Sequence, residues 1–354
     1  MSHGEARQLL RWGGAEYQRV ARMVAEYLLE AYQGGRIRFE TVKMKQVSDG
    51  SSGKVRAVAM IPVWQLMLDH IACAALADIF KRIGYNQYSG MPKRGAVAAV
   101  RKLAGWLRNP AMKYAAQMDV QKCYQSIDRR KLINWLAVKV KNPDLLRLVW
   151  RLINTSPTPG LGIGSYLSQS LATLYLSEIY HEITERMARV RKSKRRGNKR
   201  VRLVHHCLFY MDDIILVGSN KRDLHRAVEW TIGKAAELGL TIKKNWRVVR
   251  VSGGGTGGQL IDTMGFRIGR GYVTVRRRVF LRARRVIMRA WQRIKTGRRV
   301  AVSQARKIIS YAGYFKYSSS CKFSIRYHLP DVLEGAKNSI SNHDKNHEKQ
   351  STIY

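Results

Sequence analysis

Residues 207–217 read CLFYMDDIILV. Two apolar runs, Cys207 to Phe209 and Ile214 to Val217, flank Tyr210, Met211, Asp212 and Asp213. Continuous apolar runs of this length, with β-branched and aromatic residues, read as buried strands. Asp favours turns, because its side chain bonds the local backbone and it tolerates unusual dihedrals. The stretch is therefore expected to be a tight β-hairpin with two adjacent carboxylates at its tip. Such a pair repels itself, and a divalent metal is the simplest counter-charge. A solvated acidic turn would read the same. The apolar walls, and only 24 Asp and Glu in 354 residues, favour a purpose for the pair.

Against those 24 acids stand 65 Lys and Arg, a formal charge of +41. A surface that basic repels itself unless a polyanion covers it. Nucleic acid is the expected partner, with binding that falls steeply with salt. An acidic membrane surface is the second choice, but no stretch of about 18 uncharged apolar residues exists to span a bilayer. The longest candidate, 61–80, is interrupted by Asp69, His70 and Asp78. The N-terminal MSHGEARQLLRW lacks the apolar core of a signal peptide, which points to the cytoplasm. Cys73, Cys123, Cys207 and Cys321 are widely spaced and contain no CxxC pair, so they read as core thiols in a reducing compartment. A chain of this length buries a large core and is expected to hold two or three subdomains.

In chain order, apolar spacing over 15–33 predicts a helix stopped by Gly34-Gly35. Residues 36–60 alternate like strands around the polar turn 48–53, and 63–83 read as one mostly apolar helix. YSGMPKRG (88–95) is a basic loop opening a helix near Ala96, a geometry that suits phosphate. Residues 114–120 read as a strand delivering Asp119, followed by a helix from about Tyr124. Neighbouring strands lie about 4.8 Å apart, so if this strand sits beside the hairpin, three carboxylates can share two metals. Asp128, beside Arg129 and Arg130 in that helix, reads as a surface ion-pair residue. Gly160, Gly162 and Gly164 allow close backbone approach before a long helix over 166–188. The block 188–202 is a solvated basic loop or a nucleic-acid contact. Beyond the hairpin come a helix over 222–238, a strand over 240–251, a hairpin around Gly269–Gly271 and basic helices over 276–302 and 303–316. The polar tail after about 336 is expected to be disordered.

These segments fall in the order of a known family. YMDD between two apolar strands resembles motif C of reverse transcriptases, and Asp119-Val120-Gln121-Lys122-Cys123-Tyr124 resembles motif A. Gly160 to Gln169 with its helix resembles motif B, LGLTIKKN (238–245) motif D, and MGFRI (264–268) the primer-grip motif. The resemblance covers roughly 36–320 and implies an α+β right-hand polymerase. Its divisions here are an N-terminal helix and fingers (1–113), a palm on an antiparallel sheet (114–275, with the basic insertion 188–202), a helical thumb (276–335) and the tail (336–354). It also implies that Asp119, Asp212 and Asp213, with the Val120 carbonyl, hold two Mg²⁺, for which Mn²⁺ can substitute. Lys54, Arg56, Lys93 and Arg94 would meet triphosphate and template. Tyr124 would police the sugar, Ile163, Gly164 and Gln169 would line the nucleotide pocket, and Lys243 or Lys244 would protonate the leaving pyrophosphate. Arginines 276–285 would grip the duplex backbone.

Motif B narrows the subfamily. Ile163-Gly164-Ser165-Tyr166-Leu167-Ser168-Gln169 resembles the IGxxxSQ of the reverse transcriptases of diversity-generating retroelements, and ISYAGYFKYSSS (309–320) resembles their thumb. The resemblance implies template RNA, an RNA–cDNA duplex and dNTPs as partners, a small helical accessory protein, and a bacterial or phage-encoded enzyme. Ile214 stands where the family has Phe, and a retron-type or defence-associated reverse transcriptase is the alternative. A non-catalytic RNA-binding protein would explain the charge but leave the placed aspartates idle. A template-independent nucleotidyl transferase on the same palm is the third reading.

Overall fold

In the computed structural model, residues 15–35, 39, 41–48, 55–91, 93–192, 197–253 and 257–351 are described. From the N-terminus come α1 (Ala15–Gln33), β1 (Lys43–Ser48), β2 (Val55–Met60), α2 (Val63–Ala75), α3 (Ala77–Phe80) and β3 (Gln87–Tyr88). α4 (Ala96–Arg108) precedes β4 (Tyr114–Asp119), and α5 (Cys123–Ser126), α6 (Arg129–Ala137), α7 (Pro143–Asn154) and α8 (Tyr166–His181) follow. A π turn over Glu182–Arg186 leads to β5 (Ala188–Arg191), β6 (Lys199–Arg202), β7 (His206–Tyr210) and β8 (Asp213–Gly218). Next are α9 (Lys221–Glu237), β9 (Arg247–Arg250), β10 (Ile261–Thr263), β11 (Phe266–Ile268) and β12 (Val273–Val275). The chain closes with α10 (Arg277–Lys295), α11 (Val302–Lys316), α12 (Cys321–Arg326) and α13 (Leu329–Ser351). The fold is the expected mixture of helices and largely antiparallel sheet.

Two compact units form, one from residues 1–95 and 116–248, the other from 96–115 and 249–354. In the first, a five-stranded sheet runs in the order β3-β7-β8-β4-β9, with β7 and β8 antiparallel and β3 parallel to β7. β8 is buried from Ile214 to Gly218, so both of its faces are covered. Each such aliphatic side chain contributes about 1.5–3 kcal/mol on burial, which pins the hairpin register, since a one-residue slip would exchange its faces. α8 is buried on nearly every side, unlike a surface helix. Its polar residues are tolerated there because Ser170 and Thr173 hydroxyls donate to the carbonyls one turn back, Tyr166 and Gln169.

In the second unit, β10, β11 and β12 form a three-stranded antiparallel sheet. The β10–β11 turn is Met264-Gly265, both with positive φ, the pair of values that a two-residue hairpin matching strand twist requires. α10 buries Val279, Ala283, Ile287 and Ala290, one stripe of an otherwise basic helix. These pack with Ala305, Ile308, Phe315, Phe323, Val332 and Ala336 of the following helices.

Several sequence expectations need correction. The single helix over 63–83 is two, α2 and α3, broken at Leu76. The helix from Tyr124 is also two, because Asp128 is an N-cap: its carboxylate accepts the Lys131 N–H at 2.8 Å and starts α6. The strand over 240–251 is regular only at β9, with an isolated bridge at Ile242. The helix over 166–188 gives way to the π turn after His181. The tail expected to be disordered is α13 as far as Ser351, because Leu329, Val332, Leu333, Ala336 and Ile340 form a helical stripe that packs into the C-terminal core. Cys73, Cys123 and Cys207 are buried free thiols, as expected.

Candidate active site

The β7–β8 hairpin turns through Met211 and Asp212, closed by the pairing of Tyr210 with Asp213. Met211 takes φ +53°, a left-handed value that costs a non-glycine residue about 1–2 kcal/mol. Strain of this kind collects at functional sites, where the surroundings over-determine the backbone. β4 lies beside β8, and the Val120 N–H donates to the Asp212 carbonyl at 3.1 Å. That bond brings Asp119 to the hairpin tip. The Lys243 N–H donates to the Asp119 carbonyl at 2.9 Å, so the 241–243 segment flanks the same strand end.

Charge at the tip is tightly managed. The Lys243 ammonium stands 2.6 Å from Asp119 Oδ1. That oxygen is buried and receives no well-directed hydrogen bond, so the contact is an ion pair with acceptor capacity to spare. Burial pushes the Asp212 carboxyl above the usual carboxylate range, and the charge of Asp119 adds to the rise. Its own backbone N–H, Lys243 and Arg56 pull the other way. A buried carboxylate whose proton affinity is raised beside a second carboxylate forms with it a hard-oxygen donor pair suited to a divalent cation.

The expected three-carboxylate cluster is not preformed. Among the described residues no group of three or more His, Cys, Asp or Glu side chains is placed to hold one ion. Asp119 and Asp212 are the pair brought together, while Asp213 opens β8 opposite Tyr210. Mg²⁺ characteristically takes one or two carboxylates and completes its shell with waters and substrate phosphates, so this pair fits it.

The remaining predicted residues divide. Lys54 lies outside the described residues. Arg56 is exposed on β2, and its charge reaches Asp212. Lys93 is exposed with φ +61°, whereas Arg94 braces its own loop, donating to the Gly84 carbonyl at 3.0 Å. Tyr124 is largely buried, which raises its hydroxyl pKa, and Cys123 and Asp212 add to the rise. Lys244 is exposed, and Val120 is buried against Ile242. Ile163 is half-buried, and its carbonyl accepts the Ala59 N–H of β2 at 2.7 Å. Gly164 has φ +115°, and a Cβ there would stand 2.8 Å from the Ala59 carbonyl, so only glycine fits. Gln169 Nε2 donates to Ser89 Oγ at 3.2 Å.

Two residues were not legible as site components. Arg129, a neighbour of Asp128 in the sequence, donates to the carbonyls of Gly160, Ser156 and Thr158 and so clamps the glycine loop. Asp69, in α2, is buried against Ser165. Neither carries a local signal, since their partners lie 27–31 and 96 residues away.

The family model for reverse transcriptase (RNA-dependent DNA polymerase) matches residues 44–249, more than half of the chain, and the chain belongs to that family. The matched span runs from β1 into β9 and contains Asp119, Tyr124, Ile163, Asp212 and Lys243. No curated protein sequence matches the chain. Among solved structures, it is similar to telomerase from Candida albicans in complex with a TWJ fragment of telomeric RNA, at 11% identity and TM-score 0.47, over 96% of this chain and 68% of that one. It is also similar to apo telomerase from Candida tropicalis, at 13% identity and TM-score 0.47, over 94% and 63%. A form of the latter truncated from its C-terminal domain aligns at 12% identity and TM-score 0.43, over 67% and 55%. The chain spans between half and about two thirds of the length of these structures.

Proposed function

We propose that this chain copies an RNA template into cDNA by metal-assisted nucleotidyl transfer, as the error-prone enzyme of a diversity-generating retroelement. The observation that carries the polymerase reading is the pairing of Asp119 with Asp212 across β4 and β8, inside the span that matches the family. The retroelement assignment is supported by Ile163-Gly164 and Ser168-Gln169 in the motif B position.

Asp119 and Asp212 would hold the divalent ions, Mg²⁺ with Mn²⁺ as substitute. Bound there, such ions lower the pKa of a primer hydroxyl and steady a leaving pyrophosphate. The protein's own groups do the rest. Arg56, on the strand facing the glycine loop, supplies positive charge for a triphosphate. Lys243, already on Asp119, would give up a proton as charge builds on the leaving group. Tyr124, which is largely buried and close to Asp212, would limit the sugar that enters. Template RNA, the RNA–cDNA duplex and dNTPs are the partners on this reading, with a small helical accessory protein and a cytoplasmic setting. Among the described residues no helix is long and apolar enough to cross a membrane.

Primer extension on a defined RNA template tests the proposal. Template-dependent incorporation that needs Mg²⁺ or Mn²⁺ is expected. Tight RNA binding with no incorporation under any of these conditions would leave only the RNA-binding reading, and incorporation independent of template would make the chain a terminal transferase.

A further inference from the structure

Asp69 lies in α2 and is 1% exposed. Its Oδ2 accepts a hydrogen bond from Ser165 Oγ at 2.6 Å, and the backbone N–H groups of Tyr166 and Leu167 also donate to it. Ser165 is itself the N-cap of α8, its Oγ accepting the Ser168 N–H at 3.0 Å. A carboxylate from one helix thus completes the cap of another, where free N–H groups and the helix dipole favour negative charge.

The loop that ends at Ser165 is tied at each step. Leu161 N–H donates to the Tyr124 carbonyl at 2.7 Å, and Ala59 N–H donates to the Ile163 carbonyl at 2.7 Å. Arg129 holds the Gly160 carbonyl. One loop therefore couples β2, which carries Arg56, to Tyr124 and to the start of α8.

We propose that Asp69 is a positioning residue for the incoming nucleotide, acting through Ser165 to hold the 160–165 loop, and with it Arg56 and Tyr124, in the geometry that receives a dNTP. This rests on the polymerase reading above. The Asp69 carboxylate is held by hydrogen bonds rather than by an ion pair. Its partners are three donors, none of them cationic, and burial pushes its pKa up to about 6. The other titratable neighbours are Cys73, one turn along α2, whose thiol burial raises to about 12, and His70, whose ring stacks on Tyr166 at 4.5 Å. A neutral Asn is cheaper to bury, but its single oxygen cannot accept all three donors and its NH₂ would face them. The carboxylate satisfies the whole cap.

Single-nucleotide incorporation by the full chain, on an RNA template with a DNA primer, tests this. Asp69→Asn and Ser165→Ala are each expected to raise the dNTP KM about tenfold, the effect of losing one charge-assisted hydrogen bond, with smaller change in kcat and none in template–primer affinity. Ser165→Thr, which keeps the hydroxyl, should recover most of what Ser165→Ala loses. The double variant should be no worse than the worse single, because both cut the same bond. Lowering the pH from 7.5 to 5.5 protonates Asp69, so the wild-type KM should rise towards that of Asp69→Asn and the ratio of the two shrink. An unmoved dNTP KM in both active variants, multiplicative effects in the double, or a pH-independent ratio would each overturn the proposal. If Asp69→Asn does not fold, Ser165→Ala and Ser165→Thr read the same bond. A wild type that incorporates nothing overturns the polymerase reading and this proposal together, whereas an active wild type with unmoved KM overturns this proposal alone.

Discussion

The hairpin tip and α10 handle charge in opposite ways. At the tip, two half-buried carboxylates are fixed by strand pairing and answered by Lys243 and Arg56. Along α10, seven arginines and Lys295 surround a narrow apolar stripe, and Arg277, Arg284, Arg285, Arg289 and Arg293 are exposed. In the first region each carboxylate has a defined place and part of its solvation has been replaced by protein, so removing one removes a specific chemical capability. In the second most of the charges stay exposed, and each is one member of a field. The first kind of site should fail abruptly on single substitution. The second should weaken by degrees and respond to salt.

The sharpest way to break this contrast is at the carboxylates. Asp119→Asn or Asp212→Asn keeps the shape and removes a charged ligand. Incorporation should drop by about a thousandfold or more, the several kcal/mol that such a site supplies, with RNA binding nearly unchanged. Pre-steady-state incorporation and filter binding on the same preparations decide it. Near-normal incorporation by either variant would put the chemistry elsewhere.

The distributed region calls for a multiple change. Arg277, Arg285 and Arg289 lie at helical spacing on exposed positions of α10. Replacing all three with Gln should weaken template–primer binding on the order of tenfold to a hundredfold and flatten the dependence of log affinity on log salt by about 2 to 3. A single replacement should cost about a third of that slope. Loss of most binding from one arginine would make α10 a discrete site and erase the contrast.

Tyr124 tests whether positional control extends beyond charge. Its ring is buried beside Asp212, and its carbonyl holds the glycine loop. Tyr124→Ala should reduce discrimination against ribonucleotides by about tenfold, the usual worth of a small steric difference in a packed pocket. Competition between dNTP and rNTP in single-turnover assays measures it, and unchanged discrimination in a variant that still binds dNTP would move the gate elsewhere.

The smallest effect is expected at Ile163. Its main chain is held by Ala59, but its side chain has no donor or acceptor to constrain a nascent base pair. Ile163→Gln adds one, and a hydrogen bond contributes a net 0.5–1.5 kcal/mol, so misincorporation opposite template adenine should fall by about tenfold or less. Equal error rates in two active proteins would show that fidelity is set by other contacts.

Much of this architecture is legible locally. The hairpin follows from its apolar runs, and the glycine loop from residues that alone tolerate φ +115° against a neighbouring carbonyl. What misled was locally ambiguous: a polar tail whose sparse apolar residues form a stripe only once helical, and an Asp-Arg pair at 128–129 that resembles a surface ion pair. In the fold those two separate, Asp128 capping α6 and Arg129 turning to the loop.

By itself the sequence determined the buried β7–β8 hairpin, the carboxylates at its tip, the basic character of the C-terminal helices and, through its motifs, the family. These are properties of neighbouring residues, expressed through side-chain period, turn preference and charge. Tertiary structure decided that Asp119 meets the hairpin tip, because strand adjacency joins residues 119 and 212 and no local rule selects that neighbour. It decided that Lys243 rather than Lys244 answers Asp119, and that a carboxylate 96 residues away caps α8. In each case the deciding contact spans the chain, so it exists only after the chain has packed.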